Sequence, residues 1–413
     1  MKILLATYWL LPHLGGVWPY MNQIKQKLEA MGHSVDLMGH TPDFSGFHIV
    51  NENRALAKDL LTPLLYTKID AASYPTLNAD RWVYETENAR YCMELAAAYL
   101  GLDQYDLIHT QDVISTRALS RVKPKKTPLI ANIHGSIARE VMLAVYHQNA
   151  NSELRQLPIW NYYKTMEYFG ATSADVTLTS TYWMKNLMVQ EYGVPAHKIN
   201  VFQYGLDMNE FWRIYQAGTP VQKPLGKKVI ICPARLVFIK GIEVLLSALG
   251  KLKHARNDWV CWIVGDGELL PSLQQQAANQ GLHEQVQFLG YREDVPALLG
   301  LSDIFVLPSL QDNQPFSVME AQMIGLPSVV SDAGGLPEMV EHGKTGLVFP
   351  VGDTDALAHY LHLLLQEDGY RIQLGTNAKD WGTSHWSLDQ MMTRLLGFYN
   401  RAMEKVSGRY GAF

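Results

Sequence analysis

The chain has little cysteine: three residues in 413, Cys92, Cys232 and Cys261, too far apart in sequence to give metal-ligand spacing. Cys232 and Cys261 fall in apolar runs and read as buried thiols, and such sparse use fits a reducing compartment. Long apolar runs are also missing, since no stretch reaches the roughly 18 residues of a membrane-spanning helix. The apolar run Ile3–Leu11 leads straight into Pro12-His13-Leu14-Gly15-Gly16 with no small-residue cleavage site, so it reads as a first strand. The expected location is cytoplasmic, with room for attachment to the inner face of a membrane. Charge of one sign is lacking too. Lys and Arg number 35 against 40 Asp and Glu, a net −5, which leaves no electrostatic case for nucleic acid. No G-x-G-x-x-G, G-x-x-x-x-G-K-[ST], H-E-x-x-H or C-x-x-C occurs, so the common dinucleotide, P-loop and zinc signatures are excluded.

What is present is an ordinary globular composition, 47% hydrophobic and 18% charged, in a length that suits two domains. Lys2–Tyr8 reads as a strand, Gly15-Gly16 as a loop, the next 15 or so residues as a helix, and Ser34–Met38 as a second strand. That order is a βαβ unit. Thr41–Leu100 is less regular and rich in aromatics; it reads as an insert that shapes one wall of a cleft. Asp106–His109, Pro128–Ile133, Ala174–Ser180 and Lys198–Gln203 are further strands. A polar segment bearing Gly218, Pro220, Pro224 and Gly226 reads as a linker. The same order then restarts with strands Val229–Pro233, Trp259–Val264, Val286–Leu289, Asp303–Pro308 and Ser328–Ser331. Ile242, Leu245, Leu246 and Leu249 give an i, i+3, i+4, i+7 stripe, and Leu388–Tyr399 carries another. The expected domains are 1–215, 216–383 and a final helix in 384–413, an α/β architecture of two doubly wound halves with a ligand cleft between them.

Several residues sit where strands end. Arg235 and Lys240, five apart in a strand-to-helix loop, place two cations beside a helix N-terminus, which suits a diphosphate; two solvated surface charges are the plain alternative. Gly15-Gly16 lets backbone approach an anion. His134 ends a strand and is either structural or a hydrogen-bonding group for a sugar or phosphate. Asp312 and Glu320 are eight positions apart across a loop and a helix start. Ser317-Val318-Met319-Glu320 also fits a capping box. Asp353-Thr354-Asp355 reads as a helix cap before a metal pair, and Arg121-Val122-Lys123-Pro124-Lys125-Lys126 as a solvated turn before an anionic-surface site.

Taken together, Gly15-Gly16, His134-Gly135, Lys198–Asp207, Arg235 to Lys240-Gly241, Gly265-Asp266-Gly267, Pro308–Glu320, Gly325-Leu326-Pro327 and Gly334-Gly335 with Glu338 resemble the retaining nucleotide-sugar glycosyltransferases of the GT-B fold, the group 1 or family 4 kind. The resemblance implies two facing Rossmann-like domains with a deep cleft, the last helix crossing back to the first domain. It implies that Arg235 and Lys240 hold the diphosphate and Glu320 the ribose. Asp312 would lie by the donor sugar, and Phe316, Ser317 and Val318 would offer backbone to sugar and phosphate. Gly265 and the Gly290–Arg292 loop would flank the nucleotide, with Arg292 near the base, and His134 would lie near the transferred sugar. It also implies no cofactor and no metal, only a nucleoside-diphosphate sugar as co-substrate, with UDP favoured over GDP. The acceptor would be a hydroxyl-bearing glycan, lipid-linked or small molecule in bacterial cell-surface or spore glycan synthesis. Asp312 stands where the pattern usually has Glu, and Ser317 where Gly is common. A nucleotide-sugar 2-epimerase and a non-catalytic coat protein with a decayed site are the rivals. A dehydrogenase is disfavoured by the missing glycine fingerprint.

Overall fold

The computed structural model describes residues 1–12, 15–50, 52, 54–70, 72–148 and 156–410. Short runs that are apolar on both faces become fully covered strands. Trp259–Val264, sequence WVCWIV, is buried at every position. Leu129–Ile133, LIANI, is likewise buried throughout.

The chain divides into two units, Met1–Phe202 with Met392–Phe413, and Gln203–Met391. Among the described residues the first unit carries β1 Lys2–Leu10, β2 Ser34–His40, β3 Gly46–Ile49, β4 Arg54–Ala57, β5 Leu107–Thr110, β6 Leu129–Ile133, β7 Val176–Thr179 and β8 Ile199–Val201. Their order across the sheet is β4-β3-β2-β1-β5-β6-β7-β8. β3 pairs antiparallel with both β2 and β4, and the remaining pairs are parallel. The second unit carries β9 Lys228–Pro233, β10 Trp259–Val264, β11 Val286–Gly290, β12 Ile304–Leu307, β13 Ser328–Ser331 and β14 Gly346–Phe349. It forms an all-parallel sheet in the order β11-β10-β9-β12-β13-β14. The helix Ile242–Ala255 buries Ile242, Leu245, Leu246, Leu249 and Leu252, the stripe expected from sequence.

Three features differ from expectation. The insert Thr41–Leu100 contributes the β3–β4 hairpin as well as helices. The helix Met208–Ala217 belongs to the second unit, so the division falls at 202/203 and not at 215/216. Its physical basis is contact: Tyr215 covers Gly300, and the Leu206 amide donates to the Trp386 carbonyl at 2.9 Å. The last helix, Leu388–Tyr410, passes to the first unit at 391/392, eight residues later than the expected 383/384. From there Tyr399 reaches His109 Nδ1 at 2.9 Å and Arg409 reaches Asp175 Oδ1 at 2.7 Å. Among the described residues no helix is long and apolar enough to cross a membrane.

One close approach sets the first unit's packing. Gly170 lies in the helix Pro158–Ser173, and a Cβ on it would stand 2.4 Å from Val113 Cβ and 2.5 Å from the Val113 carbonyl oxygen. Val113 opens the neighbouring helix Val113–Val122, so the two helices touch backbone to backbone. Gly170→Ala should lower stability by about 1–3 kcal/mol through this overpacking. A fall in the urea midpoint would show it, and an unchanged midpoint would count against the close-contact account.

Candidate functional site

In the second unit the strand order reverses between β9 and β12. Loops leaving the carboxyl ends of strands at such a reversal diverge and open a crevice. The loop after β9 carries Arg235 and Lys240, and the loop after β12 carries Asp312. The two are tied together by the Leu310 amide, which donates to the Ile239 carbonyl at 2.8 Å. A third loop closes on Asp312 from β13. Gly334 sits at φ +61°, and a Cβ there would lie 1.8 Å from the Asp312 carbonyl oxygen. Only glycine permits that approach. The Gly335 amide then donates to the same oxygen at 3.0 Å. Gly265, at the end of β10, packs against the carbonyl of Ala234 on the β9 loop.

The charges at this edge are arranged unequally. Lys240 Nζ donates to Asp312 Oδ2 at 2.6 Å, with the two side chains only 14% and 12% exposed. Ser309 Oγ donates to the same oxygen at 2.9 Å. Arg235, by contrast, is exposed and has no carboxylate partner among the described residues. Arg292, at the end of β11, is clamped by both carboxylate oxygens of Asp294 and reaches Thr219 Oγ1 at 3.4 Å, so its charge is already matched.

The helix Phe316–Ile324 starts behind Pro315 with no side-chain cap. The capping box that Ser317 and Glu320 could have formed is therefore absent. Pro315 occupies the cap position, and Ser317 is already the second helical residue. The amides of Phe316 and Ser317 have no carbonyl partner among the described residues, while the Val318 amide donates to the Pro315 carbonyl at 3.3 Å. Val318's side chain is buried. Free amides at a helix start carry the positive end of its dipole and favour an anion. Glu320, one turn in, is half-buried with no hydrogen-bond partner among the described residues, and desolvation pushes its carboxyl up to about 7. The Phe316 ring lies nearly parallel to that of Tyr204, 15° apart with centroids at 6.1 Å.

The first unit holds the other expected residues. Gly15 and Gly16 follow β1, and Gly16 precedes the helix Val17–Ala30, which has no side-chain cap. His134 follows β6. Its Nε2 lies 2.9 Å from Gln111 Oε1, and its ring meets that of Tyr20 edge-on at 4.7 Å. Burial, then the nearby His109, pushes the imidazole down to about 3, so it is neutral at physiological pH. Beside it, Glu167 Oε1 accepts from Ser136 Oγ at 3.0 Å and from the Ala138 amide at 3.1 Å. Burial pushes Glu167 up to about 8, which keeps it protonated at neutral pH.

Arg235, Lys240, Gly265, Arg292, Asp312, Phe316, Ser317, Val318 and Glu320 thus share one edge of the second unit's sheet, and Gly15, Gly16 and His134 belong to the first unit. Sequence reasoning missed Gln111, Ser309, Gln314 and Glu167. Their partners lie from 3 to 110 positions away, and no local spacing marks them. Asp353 Oδ1 accepts from the amides of Asp355 and Ala356 at 3.0 and 2.9 Å, which is a cap, and Asp355 pairs with Lys251. Among the described residues no group of three or more His, Cys, Asp or Glu is placed to hold a metal ion.

Comparison with known proteins joins these observations. The family model described as "Glycosyl transferases group 1" matches residues 219–381, and that described as "Glycosyltransferase Family 4" matches 14–210. An uncharacterized glycosyltransferase of Methanocaldococcus jannaschii is 25% identical across 98% of this chain and 100% of its own. A UDP-Gal:alpha-D-GlcNAc-diphosphoundecaprenol alpha-1,3-galactosyltransferase of Escherichia coli is 28% identical over 63% of this chain and 67% of its own. A GDP-mannose-dependent alpha-(1-6)-phosphatidylinositol monomannoside mannosyltransferase of Mycobacterium tuberculosis is 28% identical over 54% of this chain and 60% of its own. Among solved structures, Thermosynechococcus elongatus sucrose-phosphate synthase superposes with TM-score 0.72 at 17% identity, covering 97% of this chain and 98% of that one. Anabaena HepE in complex with UDP gives 0.64 at 18%, covering 97% and 100%. The two family models occupy successive parts of the sequence, and both point the same way: the chain belongs to the group 1 glycosyltransferases and has their GT-B fold.

Proposed function

We propose that this glycosyltransferase moves a sugar from a nucleoside-diphosphate sugar to a hydroxyl acceptor with retention at the anomeric carbon. One observation carries the reading: Arg235 stands exposed and uncommitted on the same loop as Lys240, at the strand reversal. A diphosphate carries its charge on closely spaced oxygens and is best met by a guanidinium fork, an ammonium and helix amides together. The loop after β9 and the start of the helix Phe316–Ile324 supply these.

In this reading the diphosphate draws Lys240 away from Asp312. Asp312 is then left as a carboxylate beside the donor sugar, and Glu320 accepts from the ribose hydroxyls. The acceptor oxygen attacks on the face the diphosphate leaves, the glycosidic bond to phosphate breaks, and the departing phosphate oxygen takes the acceptor's proton. Arg235, Lys240 and the helix dipole stabilise the charge that develops on the leaving group, a role for which no metal is invoked. His134, neutral, serves as a hydrogen-bonding group and not as a cation. UDP is favoured as the carrier because the HepE neighbour was solved with UDP. A cell-surface glycan or lipid-linked acceptor is favoured by the names of the relatives, which include an amylovoran biosynthesis enzyme of Erwinia amylovora.

Lys240→Ala and Arg235→Ala should each reduce kcat/KM with a nucleotide sugar by about 100-fold or more, as lost leaving-group stabilisation does elsewhere. Activity should survive EDTA. Wild-type kinetics in both variants would refute the diphosphate assignment, and a complete loss in EDTA restored by Mn²⁺ would refute the metal-free one.

Glu320 yields a pH dependence with a definite sign. Its carboxyl is raised to about 7 in the folded chain, so it is neutral below that and ionised above. The ionised form is the stronger acceptor for two ribose hydroxyls, both of its oxygens being free of a proton. UDP-glucose, whose diphosphate diester does not titrate in this window, should bind more tightly at pH 8 than at pH 6, by up to about tenfold. Glu320→Gln should flatten that dependence. A wild-type affinity independent of pH across the window would remove Glu320 from the ribose.

A further inference from the structure

The amino ends of β7 and β8 lie at the edge of the first unit's sheet opposite the one that carries His134. There the last helix crosses them, and an open cleft of about 770 Å³ results. Lys198, Arg401, Lys405 and Arg409 line it against only two carboxylates, Asp175 and Glu404. This local excess of two positive charges occurs in a chain whose net charge is −5.

The two carboxylates neutralise it only in part. Asp175 is already engaged within the fold: Oδ2 accepts from the Leu129 amide at 2.9 Å and Oδ1 from Arg409 at 2.7 Å. Lys405 Nζ is anchored on the Asp175 carbonyl at 2.6 Å, which satisfies a donor without cancelling its charge. Arg401 lies over the Phe398 ring, 4.3 Å from its centroid, and neither it nor Lys198 has a carboxylate partner among the described residues. Glu404 is exposed and makes no ion pair there. The cations crowd one another: burial first, then Lys198 and Arg409, lower the Lys405 ammonium below the usual lysine range. Next to the cleft the turn before β6 adds Lys123, close enough to Arg409 to feel its charge, with exposed Lys125 and Lys126 beyond it.

A cluster of mutually repelling cations around a concave space is stabilised by a multivalent anion. Its make-up, two guanidinium forks and two ammonium groups, matches phosphate oxygens. We infer that this cleft is a second anion site, separate from the edge that carries Arg235, and that it binds a phosphate-bearing group of the phosphomonoester or diphosphate class. That group can come from a soluble compound or from the headgroup of an anionic lipid.

The test uses the full-length chain and Lys198→Glu/Arg401→Glu, which reverses the two uncommitted cations; Lys198→Glu alone, which breaks no contact, serves if the double variant does not fold. Inorganic pyrophosphate is titrated calorimetrically, and co-sedimentation is measured with vesicles of equimolar phosphatidylglycerol and phosphatidylcholine and with phosphatidylcholine alone. Against wild type, the charge reversal should weaken one of the two interactions by about tenfold or more. Loss of a pyrophosphate site in the variant identifies a soluble phosphate ligand. Loss of sedimentation with the phosphatidylglycerol vesicles, with pyrophosphate binding unchanged, identifies a lipid headgroup. Equal behaviour of wild type and variant in both assays overturns the proposal.

Discussion

The ion pair between Lys240 and Asp312 governs the rest of this structure's chemistry. At 2.6 Å and largely shielded from solvent, it cancels one of the two cations on the β9 loop and leaves Arg235 as the open one. An anion arriving there meets a fixed guanidinium first and then competes with a carboxylate for the ammonium. Breaking a shielded pair leaves an uncompensated charge. In the proposed reading a diphosphate re-pairs the Lys240 ammonium, and the Asp312 carboxylate, without its cation, would keep the Ser309 hydroxyl at 2.9 Å as a donor.

Asp312 is held in place by backbone. Its carbonyl accepts from the Gly335 amide, and Gly334 passes so near that no side chain would fit. The β12 and β9 loops are joined through Leu310 and Ile239. These connections make one rigid edge from three loops, and a rigid edge keeps charged groups oriented before any ligand arrives. Pro315 adds to it. By taking the cap position it starts the helix without a side-chain acceptor, and the Phe316 and Ser317 amides stay available.

Much of this was legible in the sequence, and for identifiable reasons. The central strands are continuous apolar runs such as WVCWIV, and their ends are marked by Gly265 or by Pro308, so both the strands and the loops that follow them could be located. The residue types in those loops then pointed to anion chemistry. The β3–β4 hairpin was not legible, because each of its strands has only four residues, too few to establish a period. The position of the division was not legible either. Met208–Ala217 is bounded by Asp207 and Gly218 like any free-standing helix, and it is long-range contacts, such as that of Tyr215 with Gly300, that assign it to the second unit. The apparent capping box at Ser317 misled because its spacing is right while Pro315 shifts the helix start. The Lys240–Asp312 pair spans 72 positions, and nothing local announces it.

The most direct measurement is a crystal structure of the full chain with UDP bound. The account expects the two phosphates within about 3 Å of the Arg235 guanidinium and the Lys240 ammonium, with the Lys240–Asp312 contact lengthened and the ribose hydroxyls on Glu320. Density for UDP away from the β9 loop, or a diphosphate that leaves Lys240 still closed on Asp312, would contradict it.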